Sequence, residues 1–75
     1  MSKYRIVLVP EDECGFSVFV PALPGCYTQG DTRDEAPAMA NEAIELHLES
    51  LWDHGEPIPP DQIEVTTVEV EAPAA

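Results

Sequence analysis

The fold is decided by the stretch Val20-Pro-Ala-Leu-Pro-Gly-Cys-Tyr-Thr-Gln-Gly-Asp-Thr-Arg-Asp-Glu35. Two strand-like runs precede this stretch, and one helical pattern follows it. Its prolines remove backbone donors and its glycines allow positive φ, so no regular element can run through it. We therefore expect a turn, then a short third strand over residues 26–29, then a break at Gly30 and the start of a helix.

The two runs before this stretch alternate as β-strands do. Residues 4–9 and 16–20 are rich in β-branched and aromatic side chains, and the polar residues 11–15 between them predict a hairpin. One face is apolar and suits a core beneath a helix: Tyr4, Ile6, Leu8, Phe16, Val18 and Val20. The other face carries Val7, Val9 and Phe19, where a solvated face would be polar. We predict an oligomer interface there, unless another part of the chain covers it.

The residues after Gly30 have a helical period as far as His54. An apolar stripe recurs at spacings of three and four: Ala36, Ala40, Ala43, Ile44, His47, Leu48 and Leu51. Thr32-x-x-Glu35 matches a capping box, but this start would place Pro37 inside the helix. A cap at Asp34 would instead place Pro37 in the first turn, and both starts stay open. Gly55 and the prolines after it end the helix.

The last part of the chain, residues 62–71, has the composition of a strand. Its alternation slips between Val65 and Val68, where a bulge would restore it. The order β-β-β-α-β predicts an α+β fold, a two-layer sandwich of an antiparallel-type sheet and one helix. We expect a single domain over residues 1–71 and a disordered C-terminal end over residues 72–75.

The charge of the chain restricts its partners. Its 75 residues include 15 Asp and Glu but only three Lys and Arg, for a formal net charge of −12. Too few basic side chains are present to neutralise phosphates, so we expect no direct nucleic-acid binding. A basic protein partner fits this charge better. A core this small also predicts self-association. The apolar run 6–9 is too short for a signal peptide or a membrane span, which predicts a soluble cytoplasmic protein.

The residues that could carry chemistry do not form a recognised pattern. Cys14 and Cys26 are twelve positions apart and His47 and His54 are seven apart, unlike the close ligand pairs of zinc sites. We interpret Cys26 as a small buried hydrophobic residue and His47 as a core or interface residue. The first two predicted strands carry no acid, which argues against a metal-dependent nuclease. We predict no catalytic, cofactor-binding or metal-binding residue.

One block of residues resembles a known family. Residues 15–32 read Gly-Phe-Ser-Val-Phe-Val-Pro-Ala-Leu-Pro-Gly-Cys-Tyr-Thr-Gln-Gly-Asp-Thr, and Glu35-Ala36 and Asn41-Glu-Ala-Ile44 follow in the helix. This combination resembles the HicB family of type II antitoxins, over residues 4–59. The resemblance implies a partial ribonuclease-H fold that lacks the nuclease carboxylates. It also implies that the chain is no enzyme, that it covers the active site of a basic, RNA-cleaving HicA toxin, and that it forms a homodimer or homotetramer.

The candidate toxin-facing residues are Glu11, Asp12 and Glu13 in the hairpin turn, and Trp52, which lies off the apolar stripe. The sequence departs from the family's pattern, since it ends soon after the last predicted strand without the DNA-binding segment of typical members. Cys14 also stands where a glycine is expected. Two alternatives to an antitoxin remain open. One is a degenerate ribonuclease-H-like, metal-dependent nuclease, and the other is an orphan oligomeric scaffold.

Overall fold

The fold is a three-stranded sheet with one helix across it, in a computed structural model that describes residues 2–73. The elements are strand β1 (Val7–Pro10), strand β2 (Phe16–Phe19), strand β3 (Tyr27–Gly30) and helix α1 (Ala36–Asp53). The strands form one antiparallel sheet in the order β1-β2-β3, and α1 lies against β2 and β3. The predicted α+β class, with a three-strand meander before the helix, is confirmed.

The strand register separates the two faces of the sheet. Leu8, Val18 and Thr28 are direct neighbours across the three strands, on the face beneath α1. Val18 is fully buried against Ala36 and Ala40. Because alanine side chains are short, the first turns of α1 can lie close to the sheet. The face predicted for the core is therefore the face that α1 covers.

The turn after β2 supplies the second half of the core. The Val20 N–H donates to the Cys26 carbonyl at 3.1 Å, and the Cys26 N–H donates to the Leu23 carbonyl at 2.9 Å. Gly25 has a φ of +84°, which a residue without Cβ adopts at little cost. These bonds close a compact turn that holds Leu23 fully buried. The side chains packed around this turn come from the residues before β1 and from α1: Tyr4, Ile6, Ala43, Ile44 and Leu48.

The start of α1 differs from both predicted starts. The helix begins at Ala36, with Pro37 in its first turn, where the missing N–H leaves no hydrogen bond unmade. The capping contacts lie just before it: the Glu35 N–H donates to Thr32 Oγ1, and Glu35 Oε2 accepts from the Asp31 N–H, both at 3.1 Å. The capping-box residues thus order the turn that leads into the helix.

Gly30 fixes how closely this turn meets the sheet. A Cβ on Gly30 would lie 2.9 Å from the Ala36 Cα, closer than real Cβ contacts come. The absence of a side chain at the end of β3 therefore lets the first residue of α1 rest on the sheet.

The fourth predicted strand, residues 62–71, is not formed in the part of the chain that the structure describes. After α1 the chain reaches the residues before β1, where the Tyr4 hydroxyl donates to the Pro59 carbonyl at 2.6 Å. All described residues beyond Ile63 are exposed, and the molecule is 52 Å long but only 27 and 19 Å across. The predicted order is wrong in this last element. Strand composition indicates side chains that suit a pleated sheet, but it does not supply a neighbouring strand.

Two further expectations depend on the C-terminal part of the chain. The likeness to a partial ribonuclease-H fold stays a prediction, since its fourth strand is not formed. Of the predicted disordered end, residues 72–73 are exposed and without regular structure, and residues 74–75 lie outside the described residues. Between residues 2 and 73, no helix is both long enough and apolar enough to cross a membrane.

Candidate protein-binding surfaces

The face of the sheet opposite α1 carries an exposed apolar row, which we call the outer face: Val7, Val9, Phe19 and Tyr27. Val7, Phe19 and Tyr27 are direct neighbours across the three strands. Their exposed fractions are 39%, 44% and 69%, and Val9 beside them is 43% exposed. The ring centroids of Phe19 and Tyr27 lie 6.4 Å apart with their planes at 45°. The structure thus places the three predicted interface residues together.

Tyr27 is the member of the outer face that sequence reasoning missed. It directly follows the buried Cys26, so strand alternation alone could have placed it opposite the core. Its alignment with Phe19 depends on how β2 and β3 pair, and that register cannot be derived from the local pattern.

The hairpin turn and the approach to α1 meet at one end of the sheet. Gly15 closes the turn, and a Cβ placed on it would lie 2.9 Å from the Gly30 carbonyl oxygen. The turn therefore lies beside the residues that follow β3. This proximity collects six exposed carboxylates, which we call the acidic end: Glu11, Asp12, Glu13, Asp31, Asp34 and Glu35. Arg33 is the one basic residue among them.

The acidic end has a stronger negative potential than the turn alone would have. Within it, Glu11 accepts a hydrogen bond from the Ser17 hydroxyl. The sequence predicts the turn as a toxin-facing site but not the second group, because residues 11–13 and 31–35 come together only through the pairing of β2 with β3.

Trp52 lies far from the acidic end. It belongs to the last turn of α1 and is 75% exposed. The helix begins beside Gly30 at the acidic end, and its 18 residues span about 27 Å at 1.5 Å per residue. The structure therefore does not bring the predicted toxin-facing residues together. They mark the two ends of the domain.

The cysteines and histidines have different environments. Cys14 is exposed and Cys26 is buried. Burial raises the pKa of the Cys26 thiol, which disfavours the thiolate that a nucleophile needs. His54 is engaged at the end of α1, where its Nδ1 lies 2.7 Å from the Ser50 carbonyl oxygen. Over residues 2–73, no three His, Cys, Asp or Glu side chains are placed to hold a metal ion together.

Comparison with known proteins identifies the family of this chain. The family model for the HicB-like antitoxin of bacterial toxin–antitoxin systems matches residues 4–73. The chain therefore belongs to a family of antitoxins, and that family is the HicB-like one. The resemblance expected from residues 15–32 is confirmed.

Both UPF0150 proteins and named HicB antitoxins are similar to this chain. It is 46% identical to a UPF0150 protein of Thermoplasma acidophilum, over 88% of this chain and 96% of the relative. It is 39% identical to a UPF0150 protein of Synechocystis, over 91% of this chain and 86% of the relative. Antitoxin HicB 1 of Photorhabdus laumondii is 40% identical over 76% of this chain, but the match covers only 37% of that antitoxin.

Proposed function

We propose that this chain is a cytoplasmic antitoxin that neutralises a basic, RNA-cleaving toxin of the HicA type by covering the toxin's active site. The observation that carries the proposal is the family match over residues 4–73. Two relatives named as HicB antitoxins support it. In this role the chain binds protein, catalyses no reaction of its own and makes no direct contact with nucleic acid.

The charge of the chain supports a basic partner. A protein that cleaves RNA binds phosphates through Lys and Arg, so its active site is positive. A chain with a net charge of −12 is attracted to such a site and competes with RNA for it. We assign the toxin-facing role first to the acidic end, which includes Glu11, Asp12 and Glu13.

Trp52 remains a second toxin-facing candidate, because an aromatic side chain at 75% exposure is a typical anchor in interfaces. The separation of about 27 Å along α1 sets a geometric condition. A single toxin domain that contacts both Trp52 and the acidic end must lie along the helix. The outer face, on the opposite side of the sheet, is then free for self-association. We assign the homodimer or homotetramer contact to Val7, Val9 and Phe19, together with Tyr27.

The experiment measures the affinity of this chain for a HicA-type toxin, by calorimetry on the purified proteins. We expect binding, and about tenfold weaker binding for the triple variant Glu11→Gln, Asp12→Asn, Glu13→Gln. Three exposed charges at roughly 0.5 kcal/mol each sum to the 1.4 kcal/mol of a tenfold change.

A matched control changes the same charge elsewhere. Glu42, Glu49 and Glu56 are exposed and lie outside the acidic end, so a contact confined to the acidic end predicts that their replacement by glutamine weakens binding less. Equal losses in the two triple variants would contradict the assignment to the acidic end. No binding of the wild type at micromolar concentration would contradict the proposed function itself.

A further inference from the structure

The structure leaves one segment without a partner, residues 62–71, which we call the C-terminal segment. Val65, Val68 and Val70 in it are 73%, 81% and 79% exposed. Ten extended residues span about 33 Å at 3.3 Å per residue, which agrees with the elongated shape of the molecule. Valine side chains gain no hydrophobic stabilisation in a solvated tail. Their presence indicates a strand that is buried elsewhere.

The same chain has an open groove of about 260 Å³ between α1 and the residues that lead into β1. Tyr4 and Ile6 line it from the residues before β1, and Ala40 and Ile44 line it from α1. Since β1 is an edge strand, nothing in the sheet closes this side of the layer between sheet and helix. The groove therefore lies where a fourth strand of the sheet would place its inward side chains.

The backbone of β1 is also free to pair at this edge. The Glu11 N–H donates to the Gly15 carbonyl at 3.0 Å. In an antiparallel pair, bonded residues alternate, so Val9 and Val7 bond to β2. The N–H and C=O of Leu8 then point away from β2, toward the open edge. Pro10 is two residues from Leu8, so its backbone nitrogen also faces away from β2. Its missing N–H therefore costs no hydrogen bond between β1 and β2.

We propose that the C-terminal segment of one copy of this chain adds as a strand to the β1 edge of a second copy, in a reciprocal exchange. The inference goes beyond the proposed antitoxin role and does not depend on it. The added strand would fill the groove between α1 and the residues that lead into β1, and extend the outer face past Val7 and Val9.

Side-chain pattern favours β1 over the other edge, β3. β1 and the residues before it carry apolar side chains on both faces, Ile6 and Leu8 toward α1 and Val7 and Val9 away from it. The C-terminal segment, as a strand, would also carry apolar residues on both faces, with Val65 on one face and Val68 and Val70 on the other. β3 instead presents the sequence Tyr-Thr-Gln-Gly, which offers little apolar surface to a new neighbour.

Charge suits the beginning of this edge but does not separate it from β3. The C-terminal segment contains Glu64, Glu69 and Glu71, and Lys3 and Arg5 precede β1, with Arg5 already paired with Asp61. Both β1 and β3 lead into the acidic end, so the choice of β1 rests on the side-chain pattern.

The contacts of Asp61 direct the segment outward. Its carboxylate accepts from the Arg5 N–H and, at 2.9 Å, from the Ile63 N–H, so residues 61–63 form a local turn at the start of β1. From this anchored turn the segment leaves its own domain. In this conformation the segment pairs with no strand of its own sheet and its residues after Ile63 are exposed, so a second copy can meet it as it stands.

The test is the mass in solution, measured by light scattering at matched concentrations. We expect the wild type at a multiple of 8.2 kDa and Val68→Pro at half the wild-type mass. Proline removes the N–H and blocks a ladder, but Val68 is exposed, so the fold of the domain is unchanged. Ala72→Pro, just outside the segment, is the matched control and should keep the wild-type mass.

Hydrogen exchange of residues 65–70 separates this pairing from other modes of association. We expect slow exchange in the wild type, lost on dilution and lost in Val68→Pro. Three results would overturn the proposal. These are an unchanged mass for Val68→Pro, fast exchange of the segment in the associated wild type, and protection in a monomer that does not depend on concentration.

Discussion

The Asp61 carboxylate binds Arg5 twice, by accepting the Arg5 backbone N–H and by an ion pair in which Arg5 Nη1 and Asp61 Oδ1 lie 3.4 Å apart. The two residues are 56 positions apart in the sequence. Because Asp61 also accepts the Ile63 N–H, it joins the start of the first strand to the chain that follows the helix. This contact determines where the C-terminal segment leaves the domain.

The contact between Arg5 and Asp61 predicts a loss of stability in acid. The Arg5 N–H, and then the Ile63 N–H, hold the pKa of Asp61 below its ordinary value of 3.8. A lowered pKa in the folded state gives stability that is complete above the ordinary value and is lost as the pH falls through the folded value. Asp61→Asn should therefore lower the Tm at neutral pH, and the difference should shrink at pH values well below 3.8.

Asp12→Asn is the control for this pH series, because Asp12 is an exposed acid in the hairpin turn and its removal should change the Tm little at any pH. Thermal unfolding followed by circular dichroism measures both variants. A Tm difference for Asp61→Asn that is as large in acid as at neutral pH would contradict this account of the contact.

Leu23 is the largest fully buried side chain, and its truncation tests the turn between β2 and β3. Leu23→Ala should lower the free energy of unfolding by about 2–5 kcal/mol, because it removes buried methyl groups and leaves a cavity. A domain of this size has roughly 3–5 kcal/mol in total, so we expect the variant to be largely unfolded. Leu46→Ala, at a site 68% exposed, should change the free energy by at most about 0.5 kcal/mol. Urea titration compares them, and similar losses would be inconsistent with a core centred on Leu23.

Gly30→Ala tests the close approach of the helix start to the sheet. The new Cβ would lie 2.9 Å from the Ala36 Cα, so the first turn of α1 must shift. We expect a loss of about 1–3 kcal/mol in the free energy of unfolding, typical of overpacking. Gln29→Ala, at the exposed neighbouring position of β3, should cost much less. If urea titration gave the two variants equal stability, the helix could not be seated on Gly30 as described.

The outer face predicts a separate effect on self-association. Val7→Ser combined with Phe19→Ser should lower the mass in solution. The free energy of unfolding should fall as well, since both side chains are only about 40% exposed. Loss of the ring pair with Tyr27 accounts for about 0.5–1.5 kcal/mol of that fall. Light scattering at matched concentrations measures the mass, with Leu46→Ser as a control outside the outer face. A double variant with the mass of the wild type would contradict the assignment of the outer face as an oligomer interface.

Local patterns predict most of the elements of this fold. Alternation located the first two strands and assigned Val18 and Phe19 to opposite faces. The prolines and glycines around residues 26–29 located the third strand, and the helical period located α1. The start of α1 was ambiguous because the capping contacts of Thr32 and Glu35 belong to the turn before the helix. The residue at which α1 begins depends on the close approach of Gly30 to Ala36, and this tertiary contact cannot be derived from a local pattern.

The candidate surfaces were predictable only in part, for the same reason. Val7, Val9 and Phe19 share a face by alternation alone. The meeting of the hairpin turn with Asp31 depends on strand register, and so does the pairing of Phe19 with Tyr27. The C-terminal segment has strand composition, but whether a strand forms depends on a neighbour that a single copy of the chain does not provide.

The most direct test of the proposed antitoxin role is a titration of RNA cleavage by a purified HicA-type toxin. The purified toxin is mixed with increasing amounts of the wild-type chain, and the remaining cleavage of a labelled RNA is measured. The account predicts that cleavage falls to zero at a fixed molar ratio, because the chain covers the active site. Full cleavage in the presence of a micromolar excess of the chain would contradict it.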